Sequence, residues 1–244
     1  TDLGWRGGYR VVFIIQLVIA GICLFSLPLW KKGSGDTQEF SEEEKKVKIK
    51  DVVKIKGVKT GWFVFFFACG LEFTCGNWCT TYLVECLNLG ENIAAIGLTC
   101  YYAGLASGRL TAGFISTRLS PWNIIRIGLL VICNGILLLF LPLPYYFAFV
   151  AMFCLGFGIG PIFPNLTHLT PISYGKDNSP AVVGTQMAAS NLGVMSAPFI
   201  FSLLAQYVNV NIFPYYVLLL FCSIVIAIVI LKKKLGVYNG NKKT

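Results

Sequence analysis

The chain has 244 residues, of which 56% are hydrophobic and only 13% charged, with a mean hydropathy of +0.70. A soluble domain carries about a quarter charged residues, so this balance excludes an ordinary water-soluble globule and points to a membrane. The net charge of +9 is no sign of nucleic acid, because nine of the twenty Lys and Arg lie between Lys31 and Lys59 and five at or beyond Lys232.

Seven stretches approach the length of about 20 helical residues that a hydrocarbon core requires. They are Tyr9–Trp30, Thr60–Leu83, Ile93–Ile115, Trp122–Leu141, Tyr145–Thr170, Ala181–Tyr207 and Ile212–Leu231. The predicted fold is therefore an all-α integral membrane protein with seven transmembrane helices. The connections alternate in character. Lys31–Lys59 carries "SEEEKKVKIKDVVKIK", Ser116–Pro121 carries Arg118, Pro171–Pro180 carries Lys176, and the tail holds "KKK" and "NKK". The opposing connections, Val84–Asn92, Pro142–Tyr145 and Val208–Asn211, hold no Lys or Arg. The positive-inside rule puts the charged loop and the C-terminus in the cytoplasm, with Arg6 and Arg10 as exceptions on the outer side. A multi-pass protein of the plasma membrane is expected.

The charged loop separates one helix from six. Its acidic-then-basic run reads either as a short amphipathic helix on the inner membrane surface or as a solvated linker. The six later helices are expected to form two groups of three, the inverted repeat of many transporters. Pro161 and Pro164 interrupt the fifth span and Pro198 the sixth, which a membrane helix tolerates where neighbours satisfy the freed carbonyls. The nine cysteines are scattered through apolar runs and read as small buried hydrophobes. Cys75 and Cys79 lie four apart with no His or further Cys beside them, so neither a metal nor another cofactor is expected.

The second span holds an ionisable group, Glu72, about twelve residues in and hence near mid-membrane. Loss of water there penalises the ionised carboxylate. A carboxyl that is neutral in one access state and ionised in the other can couple proton entry to solute movement; a structural Glu, protonated or paired with a helix outside this chain, is the alternative. At 100° per residue Glu72 shares a stripe with Ala68, Cys75, Gly76 and Cys79, whereas Thr74, Asn77 and Thr81 face the opposite way. Either this helix bends near Gly76, or one of Glu72 and Asn77 faces a neighbouring helix.

Several motifs together resemble the C-terminal half of the major facilitator superfamily with the preceding sixth helix. "GWRGGYRVVFI", Gly4–Ile14, is similar to the entry to that helix, and the basic loop to the link between halves. "ASGRLTAGFISTRLSP", Ala106–Pro121, is similar to the family's loop motif between helices eight and nine, matching at Gly108, Arg109, Gly113 and Arg118. Thr117 stands where the family often has Asp, and Ser120 where Gly is common. The domains implied are 1–30, last helix of the N-terminal half; 31–59, inter-half loop; 60–231, six-helix transport half; and 232–244, cytoplasmic tail. The chain begins with Thr1, so the expectation is a fragment whose partner, the N-terminal half, lies upstream and without which it does not transport.

"GLEFTCGNWCTTYL", Gly70–Leu83, resembles the seventh helix of the fucose–galactose–glucose proton symporters, with Gly70, Glu72, Gly76, Trp78, Tyr82 and Leu83 fitting the pattern. "GPIFPN", Gly160–Asn165, and "GTQMAASNLG", Gly184–Gly193, resemble that group's tenth and eleventh helices. The resemblance implies a small polar solute, a sugar, with the proton as coupling ion, and makes helices seven, eight, ten and eleven the cavity walls. On those walls Glu72, Asn77, Trp78, Tyr101, Tyr102, Phe163, Asn165, Gln186 and Asn191 are candidate solute or proton residues, and Arg109, Arg118 and His168 candidate gating residues. Amides and carboxylates suit sugar hydroxyls and aromatic faces suit ring C–H groups. Tyr101, aligned with Gly104 and Gly108, also fits close helix packing. For Asn165, His168 and Gln186, near the inner helix ends, an inner gate and helix capping are both open. Arg109 either snorkels or bonds a neighbouring helix.

Other classes fit less well. A retinal protein needs a Lys inside a span, and none is there. An intramembrane hydrolase needs paired catalytic groups, yet there is one His and no HExxH, so no enzyme is expected. Within transport the alternative is an exporter of amphipathic drugs or metabolites.

Overall fold

A computed structural model describes residues 4–33, 49–175 and 177–240. They fall in two compact units, 1–46 and 47–244. The first unit contributes α1, Gly4–Gly33. Its segment Gly7–Leu27 has a mean hydropathy of 2.4 and is long enough to cross a membrane.

The second unit contains α2 (Ile49–Val52), α3 (Val58–Leu87), α4 (Glu91–Ile115), α5 (Pro121–Phe140), α6 (Tyr146–Ile159), α7 (Ile162–Tyr174), α8 (Ser179–Tyr207), a 3-10 turn at Val210–Ile212 and α9 (Phe213–Gly240). The described secondary structure is entirely helical. Two helices join the expected set in modified form. The acidic-then-basic part of the charged loop lies mostly outside the described residues, and the one turn that follows it, α2, buries Val52 against Val58 and Val182. The fifth predicted span is two helices, α6 and α7, separated at Gly160–Pro161. Proline supplies no N–H, and Pro161 and Pro164 together withdraw two donors from consecutive turns. The Asn165 side-chain amide donates to the Pro161 carbonyl at 2.7 Å in the first turn after that break. α8, by contrast, runs unbroken through Pro198. There the adjacent Ala197 carbonyl takes a 2.9 Å bond from the Tyr216 hydroxyl of α9, which ties α8 to its neighbour beside the proline.

Among the described residues six helical stretches are long and apolar enough to span a membrane. α4 is long enough at 25 residues, but Glu91, Arg109 and its many small and polar residues lower its hydropathy. Its predicted place as the third span rests on its packing in the bundle.

The pairing of helices is reciprocal. α3, first of one group of three, packs on α8 and α9, while α6, first of the other, packs on α4 and α5. Between lipid-embedded helices little hydrophobic force acts, so close contact depends on small residues and interhelical hydrogen bonds. The α4–α6 interface follows this rule. Gly104 and Gly108 sit directly against the carbonyls of Phe153 and Phe157, and Gly156 and Gly160 against those of Tyr101 and Leu105. Between α3 and α8, Gly193 lies on the Phe66 carbonyl, and a Cβ at Gly70 would stand 2.9 Å from that of Ala197. Around these contacts Phe65, Leu71, Leu83, Ile132, Leu155 and Phe201 form the buried core.

The end of the bundle that carries the lysines is cross-linked by side chains. Lys234 Nζ donates to Thr60 Oγ1 at 2.8 Å, Trp62 Nε1 to Thr185 Oγ1 at 2.9 Å, and Thr170 Oγ1 to Gln186 Oε1 at 3.0 Å. Lys232 lies 5.8 Å from the Trp122 ring centre. α3 begins from Gly57, whose φ of 96° is a left-handed conformation that a side chain would strain.

Replacing Gly108 by Leu should separate α4 from α6, because a side chain there meets backbone that cannot yield. Overpacking of this kind costs about 1–3 kcal/mol or more. Thermal unfolding in detergent should show a large fall for Gly108→Leu and almost none for Gly113→Ala, whose Cβ position is open. Equal stability of the two variants would contradict the packing described.

Candidate functional site

α3 and α4 form an antiparallel pair joined by the short connection Asn88–Gly90. Asn88 closes α3 in a left-handed conformation, φ 53°, and the Leu89 amide reaches back to the Leu83 carbonyl at 3.3 Å. Such a turn suits Asn, one of the few non-glycine residues that adopt it readily. It fixes the register of the pair. Leu83 meets Gly97 near the turn, and Gly76 receives the rings of Tyr101 and Tyr102 farther along.

Deeper in the bundle Arg109 Nη2 donates to Glu72 Oε1 at 2.9 Å. Side chains on a helix lean toward its N-terminus, and in an antiparallel pair those of Glu72 and Arg109 therefore lean toward each other. The Glu72 side chain is 17% exposed and that of Arg109 47%. The carboxylate is thus sheltered while the guanidinium remains open. The Tyr101 hydroxyl, on a fully buried ring, donates to the Glu72 main-chain carbonyl at 2.8 Å.

This geometry resolves the conflict between Glu72 and Asn77. α3 runs without interruption from Val58 to Leu87, so no break at Gly76 turns the two residues to one side. Glu72 faces α4, whereas Asn77 is on the exposed side of α3. Of the two readings of Arg109, a bond to a neighbouring helix is the arrangement observed.

The exposed side of α4 divides into two stripes. Thr99, Tyr102, Ala106, Arg109 and Gly113 form a small and polar stripe, while Ile96, Ala103, Leu110 and Phe114 form an apolar one beside it. Tyr102 and Arg109 thus share a face. Asn191 is exposed on α8, His168 on α7 and Arg118 just beyond α4. Trp78 and Phe163 are half-buried, Trp78 edge-on to Phe201 at 5.0 Å and Phe163 to Phe65 at 5.4 Å. Those contacts use the rings for packing. Asn165 and Gln186 are buried, with 8% and 2% exposure, and each has its amide engaged within the bundle. Neither caps a helix end or presents itself on an open surface. Thr117 bonds back to the Phe114 carbonyl at 3.0 Å, closing α4 where the family often has an acid. Among the described residues the ion pairs are Glu72–Arg109 and Lys54–Asp51, so Arg118 has no ion-pair partner among them.

The lysine-end bonds of Thr60, Trp62 and Thr185 escaped sequence reasoning, since single hydroxyls and indoles give no periodic signal. The partner of Glu72 did leave a trace. Glu72 and Arg109 lie comparable distances, four to five turns, on either side of the α3–α4 connection, which is where an antiparallel hairpin brings residues together.

Residues 3–198 match the family model of the Major Facilitator Superfamily. The chain belongs to that superfamily. A yeast protein, "Bypass of stop codon protein 6" of Saccharomyces cerevisiae (strain ATCC 204508 / S288c), is 25% identical over 181 residues, covering 67% of this chain and 34% of its own length. Among solved structures, the peptide transporter POT in complex with alafosfalin is similar with a TM-score of 0.64 and 22% identity, over 74% of this chain and 39% of that one. A POT family transporter in complex with a thioalcohol-conjugated peptide gives a TM-score of 0.61 and 20% identity, over 74% and 39% of the two chains. These structures share the fold. The chain spans about a third of the yeast protein's length and about two fifths of each transporter's.

Removing either member of the Glu72–Arg109 pair should destabilise the bundle, and removing both should cost less than the two losses added together. The open position of Arg109 screens the pair, so a coupling of about 1 kcal/mol is expected. Thermal unfolding of Glu72→Gln, Arg109→Leu and the double variant measures it; strict additivity would show that the two side chains act independently.

Proposed function

We propose that this chain forms part of a secondary transporter that moves a small polar solute by alternating access, with proton movement coupled through Glu72. The observation that carries the reading is the Glu72–Arg109 pair, a sheltered carboxylate held by an open guanidinium within an otherwise apolar stretch. An unpaired charge at that depth costs several kcal/mol. Pairing offsets part of that cost for the ionised form, and protonation of Glu72 releases Arg109. The two protonation states therefore favour different arrangements of α3 against α4, which is what coupling requires.

The small and polar stripe of α4 suits the side that meets the other half of the transporter and the solute between them. The apolar stripe suits lipid. Asn77, Tyr102 and Asn191, all exposed on this chain, are the residues proposed to meet the solute, with Trp78 and Phe163 supporting them from the half-buried layer. His168 and Arg118, near the lysine-bearing end, are proposed as gating residues of an inner mouth facing the cytoplasm, and the plasma membrane is the proposed location.

A sugar is the solute that the Gly70–Leu83 pattern favours, since the exposed amides and the Tyr102 ring offer hydrogen bonds and a stacking face. A short peptide is the second reading. The ion pair presents both signs of charge, which a zwitterion could engage, and the transporters of similar fold are described with peptide-like ligands.

Uptake of labelled sugars and of a labelled dipeptide, by cells expressing the complete gene with and without an inward proton gradient, tests the reading. The expected result is gradient-driven accumulation of one class, abolished by Glu72→Gln, with exchange of preloaded solute retained. Uptake indifferent to both the gradient and the substitution would refute proton coupling through Glu72.

A further inference from the structure

Tyr101 touches three helices at once. Its ring is fully buried on α4, its carbonyl lies against Gly156 of α6, and its hydroxyl donates to the Glu72 carbonyl of α3 at 2.8 Å. Gly76, one turn beyond Glu72, lies beside this ring and lets the neighbouring Tyr102 hydroxyl come close. A Cβ at Gly76 would stand 3.7 Å from the Tyr101 ring and 2.8 Å from the Tyr102 hydroxyl. The bond is to main chain, so it acts on the helix itself and not on the reach of the carboxylate. Sliding α3 by one residue, about 1.5 Å, or rotating it would break this bond and leave a buried hydroxyl without a partner, a state folded proteins avoid.

From these contacts we propose that Tyr101 is a positioning residue, a strut that holds α3 at the height and rotation where Glu72 meets Arg109. The proposal rests on the reading of Glu72 as the coupling carboxyl. α6 supplies the anchor, because Gly156 lets the backbone of α4 seat directly on it. Tyr101 transmits that fixed position to α3. Arg109, two turns farther along α4, is then presented to a carboxylate whose place is already set.

The charged and titratable groups about Glu72 are few. Arg109 and Tyr101 face it from α4, and Cys69 and Cys75 stand three residues to either side on its own helix. α8, packed on another side of α3, brings the Ser190 hydroxyl to Cys69 and contains no Asp, Glu, Lys, Arg or His. α6 contains none either, α7 contributes only His168, which is exposed, and the lysines of α9 lie at the far end of α3, where Lys234 bonds Thr60. Arg109 is thus the sole neighbouring cation among these groups, and the protonation of Glu72 reports directly on how well the two are held together.

The test uses dicyclohexylcarbodiimide, an apolar reagent that adds to protonated carboxyl groups, and needs no knowledge of the solute. The protein from the complete gene is placed in lipid nanodiscs at neutral pH, and modification of Glu72 is read by peptide mass spectrometry. Wild-type protein should label slowly and Arg109→Ala rapidly. Tyr101→Phe, which keeps the ring and removes only the hydroxyl, should label several times faster than wild type. It should add nothing further in the Arg109→Ala background, since no partner remains to be positioned. Tyr215→Phe, at an exposed position on α9, should match wild type.

A general loosening would also admit N-ethylmaleimide to Cys75, which is fully buried beside the site; its modification should stay at the wild-type level in Tyr101→Phe. Wild-type labelling in Tyr101→Phe, full additivity with Arg109→Ala, or equal exposure of Cys75 would each overturn the proposal. Labelling that moves as stated alongside uptake indifferent to Glu72→Gln would retain the strut and remove the coupling role.

Discussion

An ionised carboxylate inside an apolar helix requires a counter-charge close at hand, and in this protein Arg109 supplies it from the adjoining helix. The pair at 2.9 Å imposes demands on everything around it. α3 and α4 must lie close, in one register and at one relative height. The short Asn88–Gly90 turn sets the register. Glycine contacts with neighbouring carbonyls set the closeness, on α4 against α6 and on α3 against α8. Because lipid offers little hydrophobic force between helices, these backbone contacts and a small number of side-chain bonds hold the arrangement.

Much of this was legible in the sequence, for physical reasons that differ from element to element. The spans were visible because a bilayer requires long apolar runs, and the connections were visible because lysines and arginines accumulate on one side. The resemblance of Ala106–Pro121 and Gly4–Ile14 to the superfamily agrees with the family match over residues 3–198. Helical periodicity separated Glu72 from Asn77 correctly, and the uninterrupted α3 leaves them on different faces. The sequence shows the break near Pro161, whereas Pro198 sits in a continuous helix, beside an Ala197 carbonyl that takes a bond from the Tyr216 hydroxyl. That bond comes from a residue nineteen positions along the chain and leaves no local signal.

The polar residues within the spans were the least legible. Asn165, Gln186 and Asn191 look alike in the sequence, each a single amide in an apolar run. The first two are buried, one bonded to the Pro161 carbonyl and the other to Thr170, and the third is exposed. What separates them is which face of each helix meets a neighbour, a property of tertiary packing. Tyr101 shows the same limit from the other side. Its alignment with Gly104 and Gly108 pointed to close packing, and it does pack, but its bond to the Glu72 carbonyl depends on the relative height of two helices.

The reciprocal pairing of α3 with α8 and α9, and of α6 with α4 and α5, gives the bundle two exchanged groups. The account turns on whether Glu72 changes protonation in the membrane. Infrared difference spectroscopy of the protein in lipid, titrated across the physiological pH range, tests this most directly. The account predicts a carboxylic-acid C=O band that grows on acidification, disappears in Glu72→Gln and is present at higher pH in Arg109→Ala. A spectrum unchanged by Glu72→Gln throughout the titration would contradict it.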